Sequence, residues 1–177
     1  MEFNELILKR RAYRKYVDKK VPLETIKEII SDSIQAPSWK NGENTRYYLA
    51  YSKEEISKVV DALPDFNKTN SQNCVYLIST FVKDKSGFNI KEGVSIDSLG
   101  NSWGAYDNGL HDAYLVLSAK NHGVDSLIMG IRDEAKLRNS FSIPEEEIIM
   151  SVIALGYGEG NTALVKRKTL DDILKIK

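Results

Sequence analysis

Alternating helical and strand periodicities along the 177 residues predict a three-layer fold, with helices packed on both faces of a sheet. Three observations carry this. Residues 105–122 hold a long 3.6-residue pattern, residues 74–82 and 148–155 are runs of β-branched and aromatic residues, and helical patterns separate the strand-like runs. Taken alone, that alternation predicts a parallel sheet, because parallel strands need crossover helices. One domain spanning residues 1–177 is expected.

The elements follow in order. Phe3, Leu6, Ile7 and Arg10 share helical spacing, so residues 2–16 read as an amphipathic helix that turns basic. Pro22 suits the first turn of a second helix, striped by Leu23, Ile26, Ile29, Ile30 and Ile34. That helix ends near Gln35, since Pro37 disfavours helical geometry at Ala36. A polar loop covers 38–46, and residues 47–51 read as a short strand. Ser52 and Glu55 have capping-box spacing ahead of a helix faced by Ile56, Val59, Val60 and Leu63. The buried strand 74–82 comes next, then a long irregular loop over 83–102. The helix 105–122 is expected to turn Leu110, Ala113, Tyr114, Leu117 and Ala119 inward and to stop at Gly123. Residues 124–129 form a strand, Asp133 caps a helix running through Phe141, and 148–155 form the last strand. The tail from Gly156 carries Lys166, Arg167 and Lys168.

Composition excludes several classes. Twenty-five basic residues balance 25 acidic ones, so no overall basic surface exists to coat nucleic acid. One cysteine rules out a disulfide scaffold and a cysteine-built zinc site, and two histidines leave little for other metals. No apolar run approaches the ~20 residues of a membrane span. The N-terminus lacks a basic segment followed by an apolar one, so no secretory signal is expected and the chain reads as cytoplasmic.

Local chemistry is richer than the average. Residues 9–20 concentrate Lys9, Arg10, Arg11, Arg14, Lys15, Lys19 and Lys20 against a single acid, Asp18. On a helix, Arg10, Arg11 and Arg14 lie on neighbouring faces and converge on one anion, and guanidinium forks suit a phosphate. A solvated helix face and a nucleic-acid patch stand as the other readings of that stretch. Pro37, Ser38, Trp39, Asn41 and Gly42 make a rigid turn offering donors and a stacking surface, or an ordinary polar loop. Gly130 ends a strand after Met129, which either lets a ligand approach the backbone or makes a plain turn. No Gly-x-Gly-x-x-Gly or Walker-type loop exists. Neither His111 nor His122 signals a metal site; His122 suits a helix C-terminus, and Cys74 reads as a small core residue.

In this order, the segments resemble the flavin-dependent nitroreductase family over nearly the whole chain. Arg10-Arg11-Ala12-Tyr13-Arg14 is similar to that family's opening Arg-Arg-Ser-x-Arg motif, and Ala36-Pro37-Ser38-Trp39-Lys40-Asn41 to its Ala-Pro-Ser-x-x-Asn turn. Trp103 through Leu110 resembles the start of its central dimer helix, and Gly123 through Gly130 its strand and turn beneath the flavin. Ile143-Pro144-Glu145 with Ala154 through Gly158 resembles its closing strand, and Arg167-Lys168-Thr169-Leu170-Asp171 its final phosphate-binding segment.

The resemblance implies an α+β, three-layer fold with a mixed, mainly antiparallel sheet flanked by helices, assembled as a domain-swapped homodimer. This replaces the parallel-sheet expectation. It further implies bound FMN that takes hydride at N5 from NADH or NADPH and returns it to nitro compounds, quinones or similar aromatic acceptors, by a ping-pong mechanism. No side chain is assigned a catalytic role of its own. Arg10, Arg167 and Lys168 would neutralise the FMN phosphate, and Arg14 would sit by N1 and the C2 carbonyl. Pro37, Ser38 and Trp39 of the partner would wall the ring, with Asn41 bonding nearby, and the Gly130 N–H would point at N5. Departures from the pattern are Ala12 for Ser, Glu43 for a common Gln, Asn44-Thr45 for Pro-Trp, and Met129 where some members carry Glu. Ala12 and Glu43 leave open a flavin store or sensor with little turnover as the alternative. Neither nucleic acid nor membrane is expected as a partner.

Overall fold

A computed structural model describes residues 1–160 and 162–177. Helix α1 (Phe3–Lys9) leads to α2 (Leu23–Ser33), a 3-10 turn (Trp39–Asn41) and strand β1 (Thr45–Ala50). Helices α3 (Lys53–Asp61) and α4 (Asp65–Asn70) precede β2 (Val75–Val82), and the short strands β3 (Phe88–Asn89) and β4 (Val94–Ser95) form a separate hairpin. Helix α5 (Ser102–Asn121), β5 (Asp125–Met129), α6 (Glu134–Phe141), β6 (Glu147–Gly156) and α7 (Leu170–Ile173) complete the chain. Among the described residues no helix is long and apolar enough to cross a membrane.

The main sheet runs β1-β2-β6-β5, and every neighbouring pair is antiparallel. The fold is therefore α+β, and the parallel sheet read from period alone is wrong. The reason lies in the insertion of one strand. The α5 crossover does join two strands of like direction, β2 and β5, but β6 returns between them and pairs antiparallel with both.

Period-2 alternation sorts each strand between two cores. Tyr76, Ile78, Val152 and Ala154 pack with Val59 of α3 and Leu137 of α6. Val75, Leu77, Ile153 and Leu155 pack with Ile26 and Ile29 of α2 and Leu115 and Ala119 of α5. A bulge shifts the β2–β6 register, with Ser79 opposite Ser151 and Thr80 opposite Ile149, which leaves Met150 as the extra residue.

Local signals hold well. The Ser52–Glu55 capping box forms, Asp133 accepts from the Lys136 N–H, and Gly123 takes φ +76° just past the end of α5. Three expectations fail. The first helix stops at Lys9 rather than Tyr16, because residues 12–17 are drawn alongside the sheet: Ala12 bridges Ser126, Tyr16 bridges Gly158, and the Val17 N–H donates to Tyr157 O at 3.0 Å. The 83–102 segment contains the β3–β4 hairpin. Of the residues expected inward on α5 only Ala119 is buried; Tyr114 is 43% exposed, while Asp107, Asn108, His111 and Asp112 are buried. That helix turns its polar stripe to the sheet, where Ser79, Ser151 and Tyr47 receive it.

Candidate functional site

The early end of α1 decides the geometry of the basic segment. Arg10 is its C-terminal cap with extended backbone, so Arg10, Arg11 and Arg14 do not line a helix face, and the expected helical convergence does not occur. Arg11 bonds the Arg10 carbonyl at 2.7 Å, and Arg14 reaches back to Ala12 O at 3.3 Å from an exposed position. Arg10 faces instead a cavity of about 640 Å³ between α1, α5, the end of β5 and the bulge in the middle of β6. Burial, then the charges of Arg167 and Arg11, hold its guanidinium below the ordinary range. Arg167 from the C-terminal tail thus lies within electrostatic reach of Arg10. Among the described residues no carboxylate pairs with Arg10, Arg11 or Arg167. Cations crowded together without a counter-charge suit a bound anion such as phosphate.

Gly130 borders the same cavity beyond the end of β5. A Cβ built there meets nothing within 4 Å, so the space above it is open. Arg132 donates to its carbonyl at 2.6 Å and also to Ile149 O, which fixes the turn. Among the described residues nothing accepts from the Gly130 N–H, which remains a free donor at the cavity edge. Met129 is 2% exposed and packs in the core, so only its backbone reaches this edge. Ala12 lies beside β5 through its bridge to Ser126, and Lys168 is exposed on the tail.

The cavity floor was not read from the sequence. Asp112 accepts from Tyr47 Oη and Ser79 Oγ, both at 2.8 Å, and from Ser151 Oγ at 3.5 Å. Burial pushes its carboxyl above the ordinary range, and those three hydrogen bonds oppose the shift. Asn108 donates to Ser79 Oγ at 2.8 Å, while its Oδ1 is buried without a partner. Asn108, Asp112, Met150 and Ser151 all line the cavity, and Ile7, Val116 and Ile128 supply apolar walls. The available signal was Asp107, Asn108, His111 and Asp112 at helical spacing, a stripe polar enough to suggest the solvent side.

Pro37, Ser38, Trp39 and Asn41 are not brought to this cavity. Ser38 Oγ accepts the Glu43 N–H at 3.1 Å, and Asn41 Nδ2 donates to Glu43 at 2.7 Å. Asp107 of α5 accepts the Trp39 N–H at 2.9 Å and Ser86 Oγ–H at 2.6 Å. Within one chain, then, the cavity brings Arg10 and Gly130 together, with Arg167 within electrostatic reach of Arg10, and leaves the 37–41 loop elsewhere. His122 caps α5 and contacts Asp32 at 3.2 Å, and buried Cys74 has its thiol pushed up by desolvation.

Comparison with known proteins bears on the family and the fold. The family model described as Nitroreductase family matches residues 7–157. A Methanothermobacter thermautotrophicus protein, provisionally named NADH dehydrogenase/NAD(P)H nitroreductase, is 26% identical over 91% of this chain and 80% of its own length. The crystal structure of a nitroreductase family protein from Streptococcus pneumoniae superposes with a TM-score of 0.84 at 19% identity, covering 99% of this chain and all (100%) of that one. A provisionally named nitroreductase from Exiguobacterium sibiricum, solved in complex with FMN, gives 0.80 at 19% identity, covering 100% of this chain and 98% of that one.

Proposed function

The chain belongs to the nitroreductase family, and from that premise we propose that it is an FMN-dependent oxidoreductase moving electrons from NADH or NADPH to nitro compounds, quinones or similar acceptors. The observation that carries the reading is Arg10, without a carboxylate partner among the described residues and within electrostatic reach of Arg167, at the cavity that Gly130 borders. That cavity is of the size that takes a cofactor ring system. When bound, FMN supplies hydride acceptance and donation at N5.

The protein's own residues bind and orient. Arg10 and Arg167, with Lys168 beside Arg167 in the chain, neutralise the phosphate, and Arg11 adds charge behind them. The Gly130 N–H, free and fixed by Arg132, offers a donor to the ring edge. Arg14 holds positive charge by the pyrimidine side, where negative charge collects on reduction. Ile7, Val116 and Ile128 keep the ring's surroundings dry, which strengthens each polar contact.

The unit proposed is a homodimer. Tyr106, Tyr114 and Ile128 are exposed around the outer face of α5, and the tail exposes Leu164, Val165, Leu170 and Ile173. Apolar surface of that extent favours a partner, and a second copy would bring Pro37, Ser38, Trp39 and Asn41 to the other chain's cavity. The whole chain 1–177 acts as one domain in this reading.

Purified protein is expected to carry or take up flavin, seen as visible absorbance, and to be bleached anaerobically by NADH or NADPH and recoloured by a nitroaromatic. A protein that binds no FMN defeats the proposal; one that binds FMN but is not reduced is a store or sensor. Arg10→Ala should weaken FMN binding by roughly ten-fold or more, as loss of a charged hydrogen bond does. Arg14→Ala should lower the flavin's potential, and an unchanged potential removes Arg14 from its assigned place.

A further inference from the structure

A second cavity, about 520 Å³, lies between the 3-10 turn and the β3–β4 hairpin. Lys40, Lys85 and Lys91 reach it from three separate segments, and no acidic residue lines it. Among the described residues none of the three lysines has a carboxylate partner. Trp39 and Phe88 give it flat aromatic walls. Trp39 Nε1 is buried with no hydrogen-bond partner, an unfilled donor in the wall itself.

The walls are built rather than incidental. Asp107, 5% exposed, accepts from both the Trp39 N–H and Ser86 Oγ–H, and so ties the turn and the segment before the hairpin to α5. Between them Lys40 (φ 49°), Asn41 (φ 54°) and Glu43 (φ 49°) all occupy the left-handed region without being glycine. Strain of that kind persists where the surroundings over-determine it, and it gathers at ligand sites.

We propose that this cavity is a subsite for the adenosine 2′-phosphate end of NADPH, so that the chain selects NADPH over NADH. The assignment rests on the reading of the chain as an NAD(P)H-using flavoprotein. A 2′-phosphate monoester carries close to two negative charges near neutral pH, which three unpaired ammonium groups match and NADH does not offer. Trp39 and Phe88 present faces on which a purine stacks. The cavity adjoins the 37–41 loop, which the proposed dimer sets against the flavin, so a dinucleotide held here is directed toward the ring.

The chain's two tryptophans make the test direct, because Trp39 lines the cavity and Trp103 packs on it at 4.9 Å between ring centroids. Adenosine 2′,5′-bisphosphate titrated into the purified protein should change tryptophan fluorescence saturably, and more weakly as salt is raised. ADP, which lacks the 2′-phosphate, should bind roughly ten-fold or more weakly. Lys85→Ala with Lys91→Ala should abolish that discrimination, and Lys85→Arg with Lys91→Arg should keep it. In turnover, the alanine pair should lower kcat/KM for NADPH by roughly ten-fold or more and leave NADH nearly unchanged. Equal binding of both probes, or binding indifferent to the lysines, overturns the subsite. Because binding is read without turnover, flavin-free protein that still prefers the bisphosphate keeps the subsite and defeats the flavoenzyme reading. Flavin-loaded, reducible protein without the preference does the reverse.

Discussion

The N-terminal half of α5 inverts the usual rule for a surface helix, while its C-terminal half buries Leu115, Val116 and Ala119 in the ordinary way. The side against the sheet carries Asp107, Asn108, His111 and Asp112, all buried, while the side away from it carries Tyr106, Ala113 and Tyr114, all exposed. An inward polar stripe is tolerable only where partners are ready, and Ser79, Tyr47, Ser151, Ser86 and the Trp39 N–H provide them. An outward apolar face is tolerable only where something covers it. The contrast teaches that this helix is polar where the fold supplies partners and apolar where, in the proposed dimer, a second copy would cover it.

The sharpest way to break that contrast is to charge the outer side. Ala113→Arg should shift the proposed dimer toward monomer by roughly 100-fold or more in dissociation constant, about 3 kcal/mol, while far-ultraviolet circular dichroism stays native. A variant that sediments as a dimer would show that the outer face is not the interface.

On the inner side, Asp112→Ala should cost about 2–3 kcal/mol in denaturant unfolding, since the hydroxyls of Tyr47 and Ser79 lose their acceptor. Asp112→Asn, which keeps an acceptor of the same shape, should cost about 1 kcal/mol or less. The pH dependence separates charge from packing. Asp112 is raised in the folded state, first by burial, so the folded chain binds its proton more tightly than the unfolded chain does. Its contribution is fully present below the unfolded value of about 3.9 and is lost as pH rises through the folded value. That falling slope should vanish in Asp112→Asn.

Two glycines of the same helix give the smallest and most local test. A Cβ on Gly104 collides with the Phe81 ring, whereas one on Gly109 meets nothing within 4 Å. Gly104→Ala should destabilise by about 1–3 kcal/mol. Gly109→Ala should stabilise by about 0.5–1 kcal/mol through helix propensity, read as opposite shifts in Tm.

What the sequence made legible was local. Capping at Ser52 and Asp133, the stop at Gly123 and the strands read at 74–82 and 148–155, which form at 75–82 and 147–156, all follow from rules acting within a few residues. The direction in which α5 faces is of another kind. Helical spacing says that Asp107, Asn108, His111 and Asp112 share a face, but the acceptors and donors that make its burial affordable sit on β1, β2 and β6. The same limit hid the end of α1. Residues 10–16 have ordinary helix propensity, and only pairing with Ser126 and Gly158 keeps them extended. At the site, residue types pointed to a concentration of cations, and the nitroreductase-like motif order anticipated the antiparallel sheet that period alone misread. The Asn108–Asp112–Ser151 floor needed the folded chain to be seen.

The strap at residues 12–17 has a consequence for how the protein is made. Its bridges reach Ser126 and Gly158, and Arg10 beside it lies within electrostatic reach of Arg167, so residues far apart in sequence are brought near one another. Such long-range pairing forms late. The residues of this strap therefore take their places only once β5 and the segment after β6 are available to pair with them. In the reading proposed above, FMN would then meet a complete phosphate site only after the sheet has formed, so binding the cofactor would follow folding rather than guide it.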